Sequence, residues 1–190
     1  MTRETEQTLI LRCKDGDMEA FELLFSEYAD KLYNTALSIL KEPYSAQDAV
    51  QDALLKTYRS IHTFHQDSGF YTWLYRILYN CCLDIIRKNK KNPLSLVTTV
   101  NQEHLDLQIK DPTGSALDQV LQTELSGTVR DAISTLKENY RMVLVLRDIE
   151  GMSYEEVCSV LGISLGTLKS RLSRARNALK KELLKNGTIF

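Results

Sequence analysis

Hydrophobic positions along this chain recur mainly at steps of three and four residues. Between 18 and 40 the apolar side chains keep this spacing, which predicts an amphipathic helix. Pro43 follows, and Ser45 with Asp48 has the spacing of a capping box that would open a second helix. A third helix is predicted at 70–91. Because no stretch alternates as a β-strand does, the pattern predicts an all-α fold.

A long segment without helical period separates two halves of the chain. Residues 93–117 contain prolines, a glycine and several Ser, Thr and Asn side chains. A structureless loop of this length is unusual inside one compact domain, so it is interpreted as a flexible linker between two domains. We therefore expect a first small helical domain at 1–92 and a second at 118–190, each able to fold by itself.

Composition excludes several classes of protein. The chain has 190 residues, of which 43% are hydrophobic and 26% charged, too apolar a composition for a disordered chain. No apolar run approaches the ~20 residues that span a bilayer, and the charged N-terminus lacks the apolar stretch of a signal peptide. These features predict a soluble, cytoplasmic protein without membrane insertion.

The cysteines do not indicate a metal site, and the sequence shows no set of residues typical of an enzyme. The four cysteines, Cys13, Cys81, Cys82 and Cys158, have no disulfide or zinc spacing, which favours buried thiols in a reducing compartment. No phosphate-binding loop and no nucleophile–base pairing is recognisable. We expect no catalytic residues, no metal and no cofactor.

The net charge of −1 conceals a strong segregation along the chain. Residues 1–168 carry 17 basic and 24 acidic side chains, whereas 169–190 carry 7 basic and 1 acidic. A second basic cluster lies at 76–91. Such asymmetry is typical of a protein with a surface for an anionic partner such as nucleic acid.

The segment 154–173 has the spacing of a helix-turn-helix. Ser153 and Glu156 would cap a short helix, Gly162 would form the turn, and Ser164 would cap the next helix. That second helix is rich in Lys, Arg, Ser and Thr, side chains that read base edges in the major groove. A basic, solvated helix in an ordinary bundle is the alternative, and the spacing in front of it favours DNA.

Aromatic residues are concentrated near the start of the third predicted helix. Trp73 shares a helical face with Arg76 and Asn80, and Phe64 lies shortly before it. Rings beside basic groups suit single-stranded nucleic acid because every base offers a face for stacking. Packing of the rings in a small helical core is the competing interpretation.

Together these motifs resemble those of a bacterial sigma factor. The chain has an acidic helix with Asp48 and Asp52, then the segment 68–76 (SGFYTWLYR), and finally 166–176 (GTLKSRLSRAR). Their order resembles the extracytoplasmic-function (group 4) type of the sigma-70 family, which keeps only the second and fourth sigma domains. The resemblance covers the chain apart from the linker.

The resemblance implies roles for particular residues. Core RNA polymerase would be bound by Asp48, Gln51, Asp52 and Leu55. The −10 element would be recognised and opened by Lys56, Arg59, Phe64, Trp73, Arg76 and Asn80. The −35 element would be bound by Thr167, Lys169, Ser170, Arg171, Ser173, Arg174 and Arg176.

It also implies partners and a function. The partners would be the β′ clamp helices and the β flap of core RNA polymerase, promoter DNA, and an anti-sigma factor. The function would be promoter-specific initiation of transcription with melting of the −10 region. A stand-alone helix-turn-helix regulator of duplex DNA is the alternative, but such a regulator needs neither the aromatic cluster nor the acidic face.

Overall fold

The structure, a computed structural model, describes residues 2–65, 69–91 and 127–185, and throughout these ranges its regular structure is helical. The N-terminal unit contains α1 (Arg3–Lys14), α2 (Met18–Leu40), α3 (Pro43–Ser60), a 3₁₀ turn (Ile61–Thr63) and α4 (Phe70–Lys91). The C-terminal unit contains α5 (127–135), α6 (Glu138–Leu144), a π-helical turn (Val145–Ile149), α7 (Tyr154–Leu161) and α8 (Leu165–Lys185). The all-α prediction is confirmed for the part of the chain described, and the predicted linker 93–117 lies outside it.

Helix α2 forms the centre of the N-terminal unit and has definite signals at both ends. The Asp17 carboxylate caps its start by accepting a hydrogen bond from the Ala20 N–H at 3.0 Å. At its end Lys41 takes a left-handed conformation, with φ 68°, and its N–H bonds to the Leu37 carbonyl at 2.8 Å. Between these ends the predicted apolar face is buried against α1, α3 and α4.

The start of helix α3 differs from the prediction. Glu42, rather than Ser45, caps it, because its carboxylate accepts hydrogen bonds from the N–H groups of Tyr44 (2.9 Å) and Ser45 (2.6 Å). The prediction of a capping box formed by Ser45 and Asp48 is therefore wrong. Pro43 occupies the first helical position, where its missing N–H leaves no hydrogen bond unmade. The helix thus begins two residues before the serine that was expected to cap it.

Helix α3 packs closely on its neighbours because its buried face is made of small side chains. Ala46, Ala49 and Ala53 are all fully buried, and α3 contacts both α2 and α4. Small side chains allow the helix backbones to approach, and the longer side chains of α3 are left on the opposite face. This arrangement exposes the acidic residues of α3 to solvent.

The helix-turn-helix of the C-terminal unit has the predicted local structure. The Ser153 hydroxyl accepts from the Glu156 N–H and the Glu156 carboxylate accepts from the Ser153 N–H, so the predicted capping box is confirmed. Gly162 has φ 63°, a conformation that glycine takes without steric cost, and it ends α7. Ser164 caps the next helix by accepting from the Thr167 N–H at 3.2 Å.

The two units pack against each other, which the sequence did not predict. Helix α4 contacts α7, and α2 contacts both α6 and the π-helical turn. The guanidinium of Arg141, only 6% exposed, donates hydrogen bonds to the carbonyls of Ile39 (3.0 Å) and Leu136 (3.0 Å). A side chain of one unit therefore satisfies a carbonyl in the last turn of α2. None of the helices described here is long and apolar enough to cross a bilayer.

Candidate nucleic-acid interface

The acidic face of α3 is a continuous exposed stripe. Asp48, Gln51, Asp52 and Leu55 are spaced three and four residues apart and are all exposed, with Leu55 at 51%. Tyr58, 41% exposed, extends the apolar end of the stripe. An exposed leucine beside carboxylates is the composition of a protein-binding surface, in which an apolar contact is surrounded by charged groups.

Two basic residues predicted to bind the −10 element lie further along the same helix. Lys56 and Arg59 are both exposed. The Lys56 ammonium lies 3.7 Å from the Asp84 carboxylate and 3.4 Å from the Cys81 Sγ. Partial burial lowers the pKa of Lys56, but Cys81 and the nearby carboxylates outweigh that effect and raise it. Lys56 is therefore a stable positive charge at the junction of α3 and α4.

The aromatic cluster is divided between core and surface. The Phe64 ring is only 2% exposed and lies 5.5 Å from Phe70 and 5.2 Å from Trp73, measured between ring centroids. Phe64 is thus a core residue in this structure, with no ring face open to a base. Trp73 is half-buried and keeps part of its surface open. In the loop that carries Phe64, the described residues end at 65 and resume at 69.

The predicted stripe of Trp73, Arg76 and Asn80 lies on one side of α4, and Arg76 already has a partner. Its guanidinium donates from Nε to the Ser159 carbonyl at 3.1 Å and from Nη2 to the Ser159 hydroxyl. Ser159 belongs to α7, so a residue predicted for the −10 element contacts the helix-turn-helix instead. Asn80 is exposed.

Helix α8 presents most of its predicted residues to solvent. Lys169, Ser170, Ser173 and Arg174 are exposed, whereas Thr167 and Arg171 are half-buried. The buried side of the same helix carries Leu168, Leu172 and Ala175. The exposed stripe is therefore one face of a helix held firmly by its other face, as insertion into a groove requires.

Arg176, which was predicted to bind the −35 element, forms an ion pair with another residue of the chain. Its guanidinium forms two hydrogen bonds with the Asp148 carboxylate, from Nε at 3.0 Å and from Nη2 at 2.6 Å. Two parallel bonds of this kind fix the orientation of both groups. Arg176 ties α8 to the π-helical turn, a contact that the sequence analysis missed.

Glu150 is a further residue that sequence reasoning missed. Its carboxylate accepts hydrogen bonds from the hydroxyls of Thr35 (2.6 Å), Tyr71 (2.9 Å) and Tyr75 (2.9 Å), all in the N-terminal unit. Nothing in the local sequence distinguishes Glu150 from a solvated acid. Its partners lie more than 70 positions away, and only the packing of the two units brings them together.

Comparison with known proteins identifies the family. Residues 24–92 match the Sigma-70 region 2 family and residues 126–179 match the Sigma-70 region 4 family. The chain is 37% identical over 186 residues to the RNA polymerase sigma-H factor of Pseudomonas aeruginosa, covering 96% of each protein. It is 33% identical over 187 residues to the ECF RNA polymerase sigma-E factor of Escherichia coli K12, covering 94% of each. The chain belongs to the sigma-70 family, as a sigma factor of the ECF type.

Two solved structures resemble most of the chain. CnrH, solved in complex with the cytosolic domain of CnrY, is 25% identical with a TM-score of 0.66, covering 94% of this chain and 97% of CnrH. The sigma factor RpoE of Bartonella quintana, solved in complex with the anti-sigma factor NepR, is 26% identical with a TM-score of 0.67. That match covers 87% of this chain and 98% of RpoE.

This sigma factor directs the initiation of transcription at promoters, as the sequence analysis expected. The N-terminal unit contains region 2 and the C-terminal unit contains region 4, in the family's order. A stand-alone helix-turn-helix regulator is not favoured, because the region 2 match accounts for most of the N-terminal unit, which such a regulator would leave unexplained. Sigma factors regulate transcription by binding DNA and are not catalysts.

Proposed function

We propose that this sigma factor binds core RNA polymerase through the exposed stripe of α3. Asp48, Gln51, Asp52 and Leu55 would contact the β′ clamp helices, and region 4 would contact the β flap. The observation that carries this proposal is the exposure of three polar residues and Leu55 on one helical face. A charged stripe around an apolar residue suits a helical partner of complementary charge.

Region 2 would recognise and open the −10 element. Trp73 would stack on a non-template base, with Arg76 and Asn80 beside it and Lys56 and Arg59 on the backbone. Extruding a base costs a few kcal/mol, and one stacking contact returns about 1–3 kcal/mol, so stacking together with hydrogen bonds can offset the cost. Phe64, buried behind Trp73, is assigned to supporting that ring rather than to stacking on DNA.

Region 4 would bind the −35 element with α8 in the major groove. Lys169, Ser170, Ser173 and Arg174 would meet base edges, since their side chains form the exposed stripe. Thr167 and Arg171 would contact phosphates at the edge of the groove. Arg176 would act mainly through Asp148, as a residue that holds α8 in position for DNA.

An anti-sigma factor would control access to polymerase, and the protein would act in the cytoplasm, where polymerase and DNA lie. The proposal of an anti-sigma factor rests on the Bartonella quintana relative, which was solved in complex with one. The exposed apolar residues of α3 give such a partner the same surface that polymerase would use.

Binding to core polymerase can be tested with a pair of charge reversals. Asp52→Lys should weaken assembly of the holoenzyme by about tenfold or more, because it places a like charge in an interface. Glu155→Lys is the matched control, since Glu155 is exposed on α7, outside the proposed surface. The measurement is the fraction of full-length protein that co-purifies with core polymerase. Equal loss for both variants would contradict the assignment of α3.

Promoter recognition can be tested once the promoters are mapped. Transcript 5′ ends collected after induced expression would locate them, and footprinting of the holoenzyme would show protection at the −10 and −35 elements. Protection at only one of the two elements would contradict the division of labour between regions 2 and 4.

A further inference from the structure

The last residue of α1 contacts the segment in which Phe64 lies. Lys14 ends this helix, and its ammonium donates a hydrogen bond to the Phe64 carbonyl at 2.6 Å. The same Nζ atom lies 5.7 Å from the centroid of the Phe64 ring, within the range of a cation–π contact. The two residues are 50 positions apart in the chain. One half-buried lysine therefore contacts both the backbone and the ring of Phe64.

Helix α1 holds this ammonium in a defined position. The helix contacts both α2 and the 3₁₀ turn. Three of its apolar side chains are buried, namely Leu9, Ile10 and Cys13. Close to Lys14, the Arg12 guanidinium lies 2.7 Å from the carboxylate of Asp17, which also caps the start of α2. The end of α1 is thus tied to the next helix, and Lys14 extends from a fixed backbone.

Phe64 lies at the point where the chain leaves the 3₁₀ turn. Its N–H donates to the Ile61 carbonyl at 3.1 Å, and its backbone is extended, with φ −67° and ψ 119°. Both backbone polar groups of Phe64 are therefore bound, the N–H by the turn and the carbonyl by Lys14. The direction in which the chain leaves the turn is set in part by the lysine.

The Phe64 ring transmits this constraint to Trp73. The centroids of these two rings lie 5.2 Å apart, and the Phe70 ring lies 5.5 Å from Phe64 and 5.7 Å from Trp73. The three rings form one packed group, in which Phe64 is buried and Trp73 keeps part of its surface open. Because packed side chains leave little free space, a displacement of Phe64 must move Trp73 or leave a cavity beside it.

We infer that Lys14 is a positioning residue for the stacking surface of Trp73. This inference rests on the proposed role of Trp73 at the −10 element. Lys14 acts through Phe64, because its ammonium holds the backbone and the ring against which Trp73 packs. The match to the region 2 family begins at residue 24, so Lys14 lies outside it. Capture of a −10 base thus depends on a helix that precedes the matched segment.

Holding Trp73 in advance lowers the cost of capturing a base. A ring that already has its binding orientation loses little conformational entropy when a base stacks on it. Without the ammonium, Phe64 and Trp73 would adopt several arrangements, and only a fraction of them would accept a base. The effect falls on strand opening, in which the base is flipped, and not on the binding of duplex DNA that precedes it.

The position of Trp73 can be measured directly, because it is the single tryptophan of the chain. In the full-length protein, quenching of its fluorescence by acrylamide reports how accessible and mobile the ring is. Lys14→Met keeps an unbranched side chain but removes the ammonium, and Lys14→Arg keeps a positively charged donor. Lys31→Met removes the same charge from an exposed position on α2 and is the matched control.

We expect Lys14→Met to raise the Stern–Volmer constant for acrylamide by about twofold, because loss of a hydrogen bond from a charged donor loosens the packing of Phe64. In the holoenzyme, permanganate reactivity at the −10 element of a mapped promoter should fall by about fivefold, a part of what one stacked base contributes. The closed complex should form normally.

The other variants show whether the ammonium itself is responsible. Lys14→Arg should recover most of the protection from acrylamide and most of the strand opening, and Lys31→Met should match the wild type in both. If circular dichroism shows that Lys14→Met does not fold, Lys14→Gln, which also removes the charge, takes its place in both measurements.

Opposite outcomes overturn different statements. Unchanged quenching with Lys14→Met would overturn the positioning role, and weaker DNA binding in that case would make Lys14 a phosphate contact instead. Increased quenching with normal strand opening would overturn the link to base capture, provided that Trp73→Ala reduces opening. Normal opening with Trp73→Ala would overturn the proposed stacking role, and with it the inference about Lys14.

Discussion

Arg176 of α8 and Asp148 of the π-helical turn form a bidentate ion pair, with hydrogen bonds of 3.0 and 2.6 Å. Arg176 lies on the basic helix that the sequence assigns to DNA, yet its guanidinium binds a carboxylate of its own chain. One of the basic groups of this helix thus has a structural partner. Its loss should change the position of the helix as well as its charge.

Removing either member of this pair should destabilise the protein slightly. Both side chains are partly exposed, at 51% and 34%, so we expect Arg176→Ala and Asp148→Ala each to cost about 0.5–1 kcal/mol of unfolding free energy. The double variant should cost less than the sum, because the second substitution removes no further contact. Urea denaturation followed by circular dichroism gives the three values, and strict additivity would contradict the pairing.

Arg174→Ala should reduce affinity for the −35 element by about 1–3 kcal/mol and relax base preference at one position. Arg174 is exposed on the stripe of α8, and its side chain forms no hydrogen bond to another residue in the described part of the chain. Lys180→Ala, also exposed but beyond the stripe, is the control, and it should weaken binding to all duplexes alike. Footprinting and binding to base-substituted duplexes separate the two effects; an unaltered footprint for Arg174→Ala would count against base reading.

Trp73→Ala should leave the closed promoter complex largely intact and reduce strand opening. The ring is half-buried against Phe64 and Phe70, and its remaining surface is what a flipped base would use. Trp73→Phe, which keeps an aromatic face, should restore part of the opening. Permanganate reactivity of unpaired thymines at the −10 element is the measurement, and normal reactivity with Trp73→Ala would refute the stacking role.

The protein should lose stability in acid because carboxylates cap its helices. The hydrogen bond from the Ala20 N–H lowers the pKa of Asp17, and that from the Ser153 N–H lowers the pKa of Glu156. A depressed folded pKa means that the contribution is complete above the unfolded value, 4.5 for a glutamate, and is lost as pH falls through the folded pKa.

The midpoint of urea unfolding should therefore fall as pH is lowered below about 4.5. Glu156→Gln should make this dependence shallower, because glutamine retains the geometry of the capping box but does not titrate in this range. Identical pH profiles for the variant and the wild type would show that Glu156 contributes nothing to it.

Arg141→Met should destabilise the whole protein by about 2–4 kcal/mol. The buried guanidinium bonds the carbonyls of Ile39, Ser134 and Leu136, and methionine would leave these acceptors without partners. Lys137→Met, at an exposed neighbouring position, should have a small effect. Because Ile39 lies in region 2, the variant should also enlarge the radius of gyration, and an unchanged radius would mean that Arg141 does not help to hold the units together.

Local structure was predictable wherever neighbouring residues decide it. The helices over 18–40 and 70–91, the capping box of Ser153 and Glu156, and the turn at Gly162 depend on spacing and on the conformational freedom of a few residues. The error at α3 has the same origin: Ser45 and Asp48 formed a plausible box, but Glu42 supplied a better-placed carboxylate just before Pro43.

What the sequence by itself determined is the helical periodicity, the helix-turn-helix and the segregation of basic charge. The first two follow from contacts over a few residues, and the charge distribution is read directly from the sequence. Only the tertiary structure decided which rings are buried and which donors are occupied. Phe64 enters the core, Arg76 reaches Ser159, and Glu150 collects hydroxyls from two helices of the other region. The contacts of Arg76 and Glu150 join residues 75 to 115 positions apart in the chain. Such pairings follow from the packing of whole helices, which the spacing of neighbouring residues does not reveal.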